Sequence, residues 1–63
     1  MIGRKVNLNG KEAVEIKYLS ITSYYWETNG RYFKESISRE TLKVIQKARR
    51  ISREEYNAAL FIQ

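Results

Sequence analysis

"KVIQKARRISR", residues 43 to 53, carries five cations, Lys43, Lys47, Arg49, Arg50 and Arg53, and no acid. Cations gathered on one element can neutralise several phosphates, and binding of that kind weakens steeply with added salt. A second stretch, "TSYYWETNGRYFK", residues 22 to 34, sets three aromatic residues side by side, turns at Asn-Gly and returns through two more. Tyrosines next to a cation can stack nucleobases, at roughly 1–3 kcal/mol per base. The same residues are good strand formers and frequent protein contacts.

The remaining composition excludes most bond-making chemistry. His, Cys and Asp are absent, and all seven acids are Glu. General acid–base work near neutral pH falls mostly to His, covalent catalysis often to Cys, and metal sites to His, Cys and Asp clusters. Gly3, Gly10 and Gly30 match neither a dinucleotide fingerprint nor a P-loop. A non-catalytic binding protein is expected, with no cofactor and no metal.

Twelve Lys and Arg against seven Glu give a net charge of +5 and a pI near 9.8. That balance favours anionic partners, nucleic acid first and DNA in particular. The rival expectation is a regulator or inhibitor of a host protein, of the sort phages and mobile elements encode, using the aromatic hairpin. At 63 residues there is room for one domain (1–63) with a thin core, so a homodimer is a natural way to gain stability. No run of about 18 apolar residues suggests a membrane span, and the N-terminal residues do not read as a signal peptide. A cytoplasmic protein without membrane contact is expected.

The elements that position these residues start from two turn signals, "LNGK" at 8 to 11 and "TNGR" at 28 to 31. Asn-Gly is the strongest short hairpin signal because both residues tolerate positive φ. It predicts a three-stranded antiparallel meander over about 3 to 8, 12 to 26 and 31 to 37, with a bulge or bend near 18 to 21 where the alternation loses phase. If Leu19 and Ile21 do not turn inward there, they form a second apolar surface and hence an interface.

Beyond the sheet, Leu42, Ile45 and Ala48 recur at helical spacing after a Ser38 cap, and Ser52 with Glu55 reads as a capping box for a second helix. The repeated "ISRE" at 37 to 40 and 51 to 54 is then the same helix-start chemistry used twice. The expected fold class is α+β: the meander, then two short C-terminal helices packed on one face. On the first helix Arg39, Lys43, Lys47 and Arg50 form a positive stripe opposite Leu42 and Ile45. A two-residue loop at Asn29-Gly30 sets Trp26 against Phe33, Tyr24 against Glu35 and Thr22 against Ile37 on the face the helices cover. Tyr25, Tyr32 and Lys34 are left outward to assist the cations. Leu60, Phe61 and Ile62 pack on the sheet or on a second copy.

Strand, helix, turn, helix over residues 31 to 62 resembles the ribbon-helix-helix family of DNA-binding dimers, with "RYFKESIS" as the ribbon and "ISREEYNAAL" as the second helix. The resemblance implies groove-facing roles for Arg31, Lys34 and Ser36. The connection lacks that family's glycine turn, however, and Asn29-Gly30 commits the strand to an intramolecular hairpin, so membership is not adopted.

Overall fold

Asn9 (φ 53°) with Gly10 (φ 84°), and Asn29 (φ 52°) with Gly30 (φ 75°), each reverse the chain in two residues. Positive φ at both central positions gives a turn whose twist matches that of the flanking strands. In the computed structural model, which describes residues 2–61, the first pair joins β1 (Ile2–Leu8) to β2 (Lys11–Tyr18), and the second joins β3 (Ile21–Thr28) to β4 (Arg31–Ser38). Two further reversals lie at the opposite end of the strands and use no glycine. Leu19-Ser20 links β2 to β3, and residues 39 to 43 lead into β5 (Val44–Ile51). The helix α1 (Arg53–Leu60) follows. All five strands form one antiparallel sheet in chain order, β1-β2-β3-β4-β5.

This corrects the expected three-stranded meander with two helices: the protein is mostly β, with five strands and one short helix. The predicted strand over 12 to 26 is two strands. The lost alternation at Tyr18 and Leu19 marks a hairpin, not a bulge, with Tyr18 opposite Ile21 and Leu19 at φ 56°.

The predicted helix after Ser38 is a single turn. Ser38 Oγ accepts from the amides of Glu40 and Thr41 at 3.2 Å each, so the cap forms, and the Leu42 amide reaches the Ser38 carbonyl at 2.9 Å. Leu42 then takes φ 62°, and the chain leaves as a strand. The outer backbone groups of β4 require partners, which β5 supplies. Val44, Ile45 and Ile51 suit a strand at least as well as a helix. Without a helix over 39 to 50, the ribbon-helix-helix order is also lost.

The second cap holds. Ser52 Oγ accepts from the Glu55 amide at 3.1 Å, and Glu54 and Glu55 lie in the first turn, where the helix dipole favours negative charge. One side of α1 buries Ala59 against Val14 and Ile16, with Leu60 and Tyr25 packed around them. Ile62 lies outside the described residues.

Candidate nucleic-acid interface

Cross-strand partners share a face, so the registers sort the sheet into two surfaces. On the first, Val14 is opposite Tyr25, Ile16 opposite Ser23 and Tyr32 opposite Ile51. This is the face α1 covers. The Tyr32 and Tyr56 rings lie 4.8 Å apart. Lys34 Nζ sits 5.4 Å from the Tyr25 ring centre and 3.9 Å from Glu55, whose carboxylate is also 3.7 Å from Arg49. Burial raises the pKa of the Tyr56 hydroxyl, and the charge of Glu27 adds to the rise.

The other face carries Tyr24, Trp26, Phe33 and Glu35, in the predicted register. Its assignment to the helices was inverted. Val14 and Ile16, in the centre of β2, put the larger apolar surface on the Tyr25 side, and Ile51 delivers the chain to that side as the helix begins. Trp26 is nonetheless only 6% exposed, because its own neighbours cover it: Phe33 is stacked at 5.9 Å and Lys11 Nζ lies 4.4 Å over the indole.

Beside this aromatic strip lies a polar network. Arg4 Nε donates to Glu15 Oε1 at 2.9 Å, and the Tyr24 hydroxyl donates to Oε2 at 3.0 Å. Burial would raise the Glu15 pKa, but the bonds from Arg4 and Tyr24, with the charges of Arg4 and Lys17, outweigh it and hold the carboxyl below its ordinary value. Tyr24 is raised in turn, by burial and then by its bond to Glu15.

Charge divides unevenly between the surfaces. The helix-free face has five cations, Arg4, Lys11, Lys17, Arg31 and Arg50, against two carboxylates, Glu15 and Glu35. On the covered face of the sheet Lys5, Lys34 and Arg49 are matched by Glu12, Glu27 and the helix's Glu55.

The predicted site residues therefore separate. Tyr25, Tyr32 and Lys34 belong to the packing beneath α1, as does Arg49 through Glu55. Lys43, Lys47, Arg50 and Arg53 are exposed along the edge strand and its two ends, and none has a carboxylate within ion-pair distance among the described residues. They lie on a strand and its flanks rather than on one helical stripe. Arg4, Lys11, Lys17 and Arg31 were missed. The signal for the β2 pair was the alternation Lys11, Ala13, Glu15, Lys17, which is legible once β2 is ended at Tyr18.

No family model matches the chain, and no curated protein or solved structure matches it either. What the site can do rests on its geometry.

Proposed function

We propose that the protein is a small non-catalytic nucleic-acid-binding protein. Its binding surface is the helix-free face of the sheet together with the adjoining cations of the β5 segment, Lys43, Lys47, Arg50 and Arg53. The observation that carries this reading is the segregation of charge: positive charge is answered by carboxylates under the helix and left in excess on the open face. A polyanion is the partner such a surface attracts, through counterion release. Anisotropy titration with short labelled DNA and RNA at two salt concentrations tests it. The expected result is micromolar binding that weakens steeply as salt rises; no binding at low salt refutes it.

A second reading, capture of a host protein, is supported by one different feature. Leu19 and Leu42 are 74% and 70% exposed at the tips of adjacent turns. The Arg39 amide donates to the Ser20 carbonyl at 2.9 Å and its guanidinium to the Leu19 carbonyl at 2.8 Å, which holds those turns together. That reading gains if the titrations fail.

A further inference from the structure

Resting on the nucleic-acid reading above, we propose that the helix-free face takes single strands rather than duplex, with bases stacking on Phe33 and Tyr24 in the middle of the sheet and phosphates held by cations at its margins. The order of strands makes this arrangement. Tyr24 and Trp26 are on β3 and Phe33 is on β4, while Arg4, Lys11 and Lys17 lie to one side on β1 and β2. Arg31 and Arg50 lie to the other, on β4 and β5, with Arg50 directly opposite Phe33. Neighbouring strands are spaced about 4.8 Å apart, so β2 and β5 are separated by about 14 Å. A nucleic-acid strand crossing the sheet therefore meets a cation as it arrives, rings as it passes and a cation as it leaves.

Phe33 and Tyr24 are half-buried, with part of each ring open, whereas Trp26 lies beneath Lys11 and beside Phe33. Trp26 serves as the floor on which Phe33 is braced, and Phe33 as the ring offered to a base. A duplex has its bases already stacked on one another and has no free π-face to bring to rings at the floor of a sheet. A hollow of about 230 Å³ beside Tyr24, lined by Glu15, Lys17, Thr22, Ile37 and Leu42 among others, adds depth to the same surface.

Trp26 is the only tryptophan, so its fluorescence reports on this face alone. The experiment titrates the full chain with a 12-nucleotide oligothymidylate, an oligouridylate and a mixed-sequence duplex at low salt. The expected result is single-strand affinity at least ten times that for duplex, accompanied by a change in Trp26 emission. Phe33→Tyr, which keeps a stacking ring, should retain affinity. Phe33→Leu, which keeps apolar bulk without a ring, should lose about 5- to 150-fold, the range for removing one stacked base. Circular dichroism confirms that each variant is folded. Equal affinity for duplex and single strand, with Phe33→Leu unchanged, overturns this inference while leaving the charge-based reading standing. Absence of binding to any of the three overturns both.

Discussion

The two faces of the sheet use the same residue types for opposite ends. Under α1, Tyr25, Tyr32, Lys34 and Arg49 are held by a helix that brings Tyr56 and Glu55 to meet them. On the other side Tyr24, Phe33, Lys11 and Arg50 lie in a surface that no helix crosses. An aromatic ring or a cation is thus no sign of a site by itself. What decides is whether the fold supplies that group with a partner, and here one eight-residue helix makes the difference.

Substitutions of graded severity test this contrast. Ile16→Ala removes part of the small cluster beneath α1 and should cost about 2–5 kcal/mol, much of the stability of so small a domain, read as a large drop in thermal midpoint. Changing Lys43, Lys47 and Arg50 together to Glu should weaken nucleic-acid binding by roughly a hundredfold or more and lower the salt slope by about 2, while far-UV circular dichroism stays unchanged. These side chains are exposed and contribute nothing to the core. Equal binding by the triple variant would erase the contrast.

Acid titration probes the Glu15 network. With a folded-state pKa below the ordinary carboxylate value, Glu15 contributes stability that is complete above the unfolded pKa and lost as pH falls through the folded one. Glu15→Gln should therefore unfold with a flatter pH dependence across the carboxylate range, measured by urea melts at several pH values. The smallest effect is expected at the turns. Leu19→Gly and Leu42→Gly each relieve a left-handed leucine and should raise stability by about 1 kcal/mol or less, seen as a higher urea midpoint. Gly30→Ala, at φ 75°, should move it the other way.

Those turns also explain how far the sequence could be read. Asn9-Gly10 and Asn29-Gly30 are recognisable because their residue types are the ones positive φ selects, and with them came the β3–β4 register, pair by pair. Leu19 and Leu42 adopt the same backbone region with residues that signal nothing of the kind. The hairpin at Leu19 and the strand after Leu42 were therefore invisible, the cap at Ser38 was extended into a helix, and the cations beyond it were placed on a helical stripe. Ser52 gave the same local signal and did begin a helix, because Ala59 and Leu60 had Val14 and Ile16 to pack on. The difference between the two "ISRE" segments is long-range, and nothing within either one records it.

As an outermost strand, β5 leaves a row of backbone donors and acceptors without a neighbour. A second molecule approaching edge to edge would meet Lys47, Arg49 and Arg50 with its own like charges, the usual defence against runaway sheet growth. Electrolyte weakens that defence, since the screening length shrinks to about 3 Å at 1 M ionic strength. Concentrated salt is therefore the condition under which this chain should turn cloudy, and dilute buffer the one in which it should keep longest.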